Sequence, residues 1–136
     1  MPVFPSGEWV TQYRDELNRY EPWKEAAKTW EGDFVFEILP DGTGGLTEPA
    51  YFYIDLWHGE CRAARAIGSK DEVKSEFVFS GPYANWVKLI KKEIDPIQGL
   101  MTRKFTLKGN MAKVMRAVKA AKELVNCTSR VPTTFA

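Results

Sequence analysis

From Ser6 to Tyr20 the apolar residues Trp9, Val10, Tyr13, Leu17 and Tyr20 recur at three- and four-residue steps, which predicts a helix with one buried stripe. Pro22 interrupts that pattern and suits the first turn of a second, short helix. There Trp23, Ala26, Ala27 and Trp30 face inward and Gly32 is the stop. The period then changes. Over Asp33 to Leu39, Phe34, Phe36 and Ile38 alternate with Val35 and Glu37, as in a strand. A loop rich in glycine and proline, Pro40 to Pro49, leads to an aromatic strand over Ala50 to Trp57. His58-Gly59 turns the chain into a returning hairpin strand from Cys61 to Ile67, and Ser75 to Ser80 is a fourth strand with Phe77 and Phe79 on one face.

Gly81-Pro82 opens a helix carrying Tyr83, Trp86, Leu89 and Ile90, and Asp95-Pro96 is a cap-then-proline start for a short helix ending near Met101. Arg103 to Lys108 alternates again, with Phe105 and Leu107 inward and Lys104, Thr106 and Lys108 outward: a fifth strand with one wet face. After Gly109, Asn110 caps a closing helix in which Met111, Val114, Met115, Val118, Ala121 and Val125 share a stripe. From Thr128 no period is legible, so residues 1–127 are read as one domain and 128–136 as a tail. The pattern predicts an α+β fold with a sheet built partly from a meander.

Composition fits one core. The 136 residues are 44% hydrophobic and 13% aromatic, and a chain of this length buries roughly two-thirds of its unfolded surface, without disulfide or metal staples. Basic residues number 19 and acidic residues 18, a net charge of +1, so no net field draws the protein to nucleic acid or to an anionic membrane, which argues against a polyanion binder. Cys61, Cys127 and the single His58 cannot assemble a zinc site, and no metal or cofactor is expected. Free thiols, the absence of a basic leader with an apolar run, and no apolar stretch near the ~20 residues of a membrane helix lead to an expectation of a soluble, cytoplasmic protein without stable membrane insertion.

Reactive chemistry is sparse. The loop Asp41-Gly-Thr-Gly-Gly45 lacks the phosphate-loop spacing and runs into a strand, so an ordinary loop is the better reading. His58 and Cys61 are close in sequence, yet no third group is placed to orient the histidine, which favours a structural pair over a dyad. No catalytic residues are assigned. The conspicuous feature is apolar excess in the strands and the late helices, where composition alone favours core over pocket.

The C-terminal third carries a resemblance. Asp95-Pro-Ile-Gln-Gly-Leu-Met101, then Arg103-Lys-Phe-Thr-Leu-Lys-Gly-Asn110 and the amphipathic helix from Met111 resemble the sterol carrier protein 2 (SCP2) sterol-binding domain family. Upstream, Ser80-Gly-Pro-Tyr-Ala-Asn-Trp86 is similar to the family's strand-to-helix junction, and the order of elements fits over most of residues 6 to 127. Arg103 stands where the family pattern places glycine. The resemblance implies a mixed five-stranded sheet with helices packed on one face and an apolar tunnel between them. It implies a non-catalytic carrier or transfer protein for a fatty acid, acyl-CoA or sterol.

On that basis the ligand-binding positions are expected to be Phe36, Phe77, Trp86, Ile90, Ile97, Leu100, Met101, Phe105, Met111 and Met115. Arg103 or Lys104 near the mouth could meet a headgroup, against a solvated turn as the commoner role for such residues. Two alternatives stand beside the carrier: an interaction or regulatory module whose interior is filled by its own Trp and Phe side chains, and, ranked last, an enzyme using Cys61 or His58.

Overall fold

The computed structural model describes residues 1–136. Five strands form one sheet: β2 (Glu31–Leu39), β3 (Ala50–Trp57), β4 (Glu60–Ile67), β5 (Phe77–Pro82) and β6 (Thr106–Lys108), in the order β4-β3-β2-β5-β6. The β2–β5 pair is parallel and the other three pairs are antiparallel, so the sheet is mixed, as expected. His58 and Gly59 both take positive φ (49° and 77°), the primed geometry a two-residue β3–β4 hairpin needs.

The centre of the sheet explains its most apolar strand. β2 is paired on both sides, and Phe34, Phe36 and Ile38 enter the helical side while Val35 and Glu37 are buried on the other. Ser80 Oγ donates to Glu37 Oε1 at 2.7 Å and Lys70 Nζ lies 3.5 Å from Glu37 Oε2, because the segment joining β4 to β5 crosses that face. A buried carboxylate is tolerable only with such partners.

Helices α1 (Gly7–Leu17), α2 (Glu21–Ala26), α3 (Tyr83–Ile90) and α4 (Pro96–Met101) follow the predicted stripes and caps. Ser6 Oγ accepts from Trp9 N, and Asp95 Oδ2 accepts from both Ile97 N and Gln98 N.

Four elements differ from the sequence expectation: the second helix ends at Ala26, so that Gly32 lies within β2, the fifth strand is only Thr106–Lys108 because the chain up to Arg103 closes α4, and the closing helix and the tail differ more. The closing helix is not continuous: it is α5 (Met111–Met115) followed by α6 (Val118–Asn126), broken at Ala117 (φ −122°, ψ 39°). Neither Pro nor Gly sits there, so packing decides it: Val114 is buried beneath α5, whereas Ala120, Leu124 and Val125 set the buried face of α6. The residues after Thr128 do not trail. A 3₁₀ turn (Cys127–Arg130) leads to β7 (Thr134–Phe135), parallel to β1 (Val3–Phe4). Trp9 Nε1 donates to Thr133 Oγ1 (2.9 Å) and Tyr83 Oη to the carbonyl of Ala136 (2.8 Å).

Arg103 supplies the reason for the glycine in the family pattern. It closes α4 with φ 62°, Lys104 N donating to Gly99 O (2.9 Å) and Arg103 N to Leu100 O (3.2 Å), a Schellman motif with a non-glycine residue in the left-handed position. Because that conformation strains any residue with a Cβ, Arg103→Gly is expected to stabilise the fold by about 0.5–1 kcal/mol, net of glycine's larger unfolded-state entropy. Urea unfolding checks this, and an unchanged or lower midpoint would count against the strain.

Candidate functional site

The β2–β5 register sets Phe34 beside Phe77 and Phe36 beside Phe79, so four phenyl rings share the helical side of the sheet. Phe34 stacks on Phe77 (5.0 Å between centroids), Phe79 stacks on Phe105 (4.8 Å), and Trp86 meets Phe36, Phe79 and Phe105 at 5.3–5.4 Å. The Trp86 indole N–H donates to the carbonyl of Glu37 at 3.0 Å, which fixes the ring against the central strand.

Beyond this aromatic wall the interior is aliphatic. A cavity of about 40 Å³ has Phe34, Phe36 and Phe79 as its floor and is enclosed by Ile97 and Leu100 of α4, Leu107 of β6, Val114 of α5, and Leu124 and Val125 of α6. A second, of about 20 Å³, lies towards Trp23, Trp30 and Leu56. Phe34, Val114, Ala121 and Leu124 line both and form the partition between them. Each space has room for a methyl group or a water, not for the several hundred cubic ångströms of a lipid site, ~300 or more. An open tunnel is therefore not present; the apolar space is closed by side chains. Larger hollows of about 300 to 360 Å³ are open, partly polar grooves on the surface, beside Lys113, Tyr83 or Arg62, and size alone does not make them sites.

Of the ten sequence-assigned positions, Phe36, Ile97 and Leu100 line the larger cavity. Phe77, Trp86, Ile90 and Phe105 are buried but do not line it; Phe77, Trp86 and Phe105 belong to the aromatic wall. Met101, Met111 and Met115 lie on the surface, 76%, 40% and 43% exposed. A five-residue helix has too few turns for periodicity to choose its face, and α5 buries only Val114. The additional lining residues are Phe34, Phe79, Pro96, Leu107, Val114, Ala121, Leu124 and Val125. The α6 stripe and the β2–β5 alternation contain most of them, but only the register and the break at Ala117 bring them together. Arg103 and Lys104 are exposed and in no ion pair.

The groups that could react are engaged elsewhere. Cys61 Sγ is buried and donates to the carbonyl of Ala63 (3.4 Å), whereas the exposed His58 places Nε2 2.6 Å from Glu31 Oε2, so the two form no dyad. In the glycine loop, Asp41 accepts from Thr43 and from Ala84 N at the start of α3, which fills with the protein's own carboxylate the place a phosphate would take. The Thr43 hydroxyl holds the Asp41 carboxyl below its ordinary value. No cluster of three or more His, Cys, Asp or Glu is placed to hold a metal ion, and no helix is long and apolar enough to cross a membrane.

The sequence pattern described as the SCP-2 sterol transfer family matches residues 15–122. The chain belongs to that family. Among solved structures, a crystal structure of sterol carrier protein 2 is similar at TM-score 0.85 and 31% identity, covering 93% of this chain and 97% of its own. A conserved hypothetical protein of Thermus thermophilus is equally similar, at 0.85 and 31%, over 98% of this chain and 92% of its own. The apo form of sterol carrier protein 2 from Yarrowia lipolytica shares the fold at TM-score 0.59 and 18% identity, with 88% of each chain covered. No curated protein matches the chain at a significant level. The two cavities lie between the sheet and the late helices.

Burial raises the Cys61 and Cys127 thiols to about 12, and burial with the Asp33 hydrogen bond raises the Tyr53 hydroxyl to about 12. Each group is held neutral in the folded chain and ionises more readily once unfolded. Stability is therefore retained below about pH 9 and lost as the pH rises from about 9 towards 12. The melting temperature across that range checks the sign. In the native protein at pH 8 neither thiol is expected to react with a disulfide reagent within the time that both react in denaturant.

Proposed function

We propose that the chain binds an elongated apolar ligand, a fatty acid, acyl-CoA or sterol, between the sheet and α4–α6, and acts as a cytoplasmic carrier without catalysis. The observation that carries this reading is the pair of apolar cavities separated by a partition of four side chains, in a member of the SCP-2 sterol transfer family. Ligand admission needs that partition to part. In our reading α5 pivots about Ala117 and withdraws Val114, its one buried residue.

The magnitudes permit it. Exposing Val114 costs about 1.5–3 kcal/mol, and the half-buried Lys113, which also ties α5 down through Glu76, the carbonyl of Glu31 and the Trp30 ring, contributes about 1–2 kcal/mol. Each ligand methylene that is buried returns about 0.8 kcal/mol, so roughly five of them offset the opening. Phe36, Ile97 and Leu100 would then contact the ligand, and Arg103 or Lys104 would meet a carboxylate or phosphate headgroup. The smallness of the cavities favours one second reading, an interaction module whose interior stays filled.

Delipidated protein titrated with a fluorescent fatty acid separates the two. Saturable binding displaced by unlabelled fatty acid supports the carrier; no binding, with no lipid carried through purification, supports the filled module. Ala121 lines both cavities, so Ala121→Leu fills the space a ligand would enlarge. It is expected to weaken fatty-acid affinity at least about tenfold while leaving the melting temperature within a few degrees, because the added methyls enter existing voids.

A further inference from the structure

Three spaces lie in a row along the late helices, and each shares walls with the next. The larger cavity, at the α4 end, meets the smaller one across Phe34, Val114, Ala121 and Leu124. The smaller cavity in turn meets an open surface groove of about 300 Å³, bounded by Ala26, Thr29, Glu31, Lys113 and Arg116, and the residues common to both are Trp30 and Ala117. An alanine adds one methyl to such a wall. At that end the apolar interior is therefore separated from solvent by the indole of Trp30, in the link between α2 and β2.

Everything around that ring holds it still. Its Nε1 donates to the carbonyl of Gly32 at 3.1 Å, and its face stacks on Phe34 at 6.0 Å and leans on Phe77 at 5.7 Å. A Cβ at position 32 would stand 3.3 Å from the indole, so the bare backbone of β2 lies along the ring. The Lys113 ammonium, held by Glu76 at 2.7 Å and by the carbonyl of Glu31, sits 5.0 Å from the ring centre. Of these ties only Lys113 belongs to α5, so a swing of α5 leaves the ring bonded to Gly32 and stacked on Phe34. A ring fixed on the sheet acts as a stop, whereas a gate needs a side chain free to change rotamer. The groove beyond carries Thr29, Glu31, Lys113 and Arg116, so a methyl end pushed through would exchange apolar surroundings for polar ones.

We propose that Trp30 sets the length of the linear acyl chain this protein accepts, by meeting the chain's methyl end while the head stays at the α4 end. The proposal rests on the carrier reading and deepens it. Two small voids in line suit a flexible chain, which threads them one methylene at a time, better than a rigid ring system that needs its full width at once. Trp23, buried on the same cavity, backs the stop.

A series of saturated fatty acids from decanoate to docosanoate, each competed against one fluorescent fatty acid, tests it. In the wild type, affinity is expected to rise with length to an optimum and to fall about tenfold or more when two carbons are added beyond it. Trp30→Ala moves that optimum to longer chains and raises the affinity for the first rejected acid by about tenfold, while the shortest acids bind no better than before. Trp30→Phe shifts it less. Trp57→Ala, an exposed tryptophan outside the path, leaves the profile within about twofold at every length. A merely structural role for Trp30 would weaken all acids alike and keep the optimum in place, and that result overturns the proposal. A wild-type affinity that still rises at docosanoate overturns it too, because no stop then exists. Circular dichroism checks the fold, and if Trp30→Ala unfolds, Trp30→Phe is read together with bromine quenching. The optimal acid brominated at its methyl end is expected to quench tryptophan emission more than the same acid brominated beside the carboxylate, and Trp30→Phe to reduce that difference; equal quenching counts against the stop. No displacement by any acid sinks the carrier reading and the stop with it, whereas displacement with an unshifted profile sinks the stop alone.

Discussion

Phe36 is the side chain on which both halves of the interior meet. Its ring lies 6.3 Å from Tyr13 on one side and 5.4 Å from Trp86 on another, and it also floors the larger cavity. The interior it divides is of two kinds. Towards α1 and α3 it is aromatic, with Phe4, Trp9, Phe52 and Tyr83 in edge and stacked contacts. Towards α4–α6 it is aliphatic and imperfectly filled. Aromatic contacts prefer particular orientations and the Tyr and Trp rings carry polar ends, whereas aliphatic contacts are non-directional and individually weak. The aromatic half therefore holds one arrangement, and the aliphatic half can exchange one set of contacts for another.

Hydrogen bonds deepen that division. Tyr13 Oη donates to the carbonyl of Leu124 at 2.6 Å, Trp86 Nε1 to Glu37 O, Trp9 Nε1 to Thr133 Oγ1 and Tyr83 Oη to Ala136 O. Three of these acceptors lie beyond Ala117, so the end of α6 and the last residues are clasped to α1 and α3. The β1–β7 pair closes the same clasp. What remains outside it is α5, with Ala117 at its junction to the anchored α6. The proposed opening would therefore fall on α5 and leave the clasped elements in place.

The same physics decides how much could be read from the sequence. Strand β3, the α1 stripe and the Asp95 cap were legible because each is a local pattern, set by residues within one or two turns or by strict alternation. The β1–β7 pair is two residues on each side, and Phe4 meets Phe135 across most of the chain, so no local period announces it. The break at Ala117 has no Pro or Gly to mark it; it arises because Val114 and Leu124 are drawn to the same apolar space from two short helices. Of the ten site positions, those on well-patterned elements, Phe36, Ile97 and Leu100, line the cavity. Met111 and Met115 do not, since their placement depended on a continuous helix, and Met101, the last residue of α4, is exposed. Leu107 carried no sequence signal beyond being an inward apolar position, and Leu124 lay outside the predicted stripe.

Under the proposed function a cover that yields cannot draw its order from tight packing, and the caps of α4 and α5 offer another source. Asp95 caps α4 at one end, the Arg103 Schellman turn closes the other, and Asn110 Oδ1 accepts from Lys113 N at the start of α5. Each cap contributes about 0.5–2 kcal/mol from contacts inside the segment itself. These helices therefore keep much of their shape whether or not the space beneath them is filled by Val114 and Leu100. Packing the cover with aromatics would have stabilised it more, but only by occupying the volume between the helices and the sheet. Local capping leaves that volume available, and it leaves the outer side of the same helices free to carry exposed cations and methionines that a tightly packed interface would have had to bury.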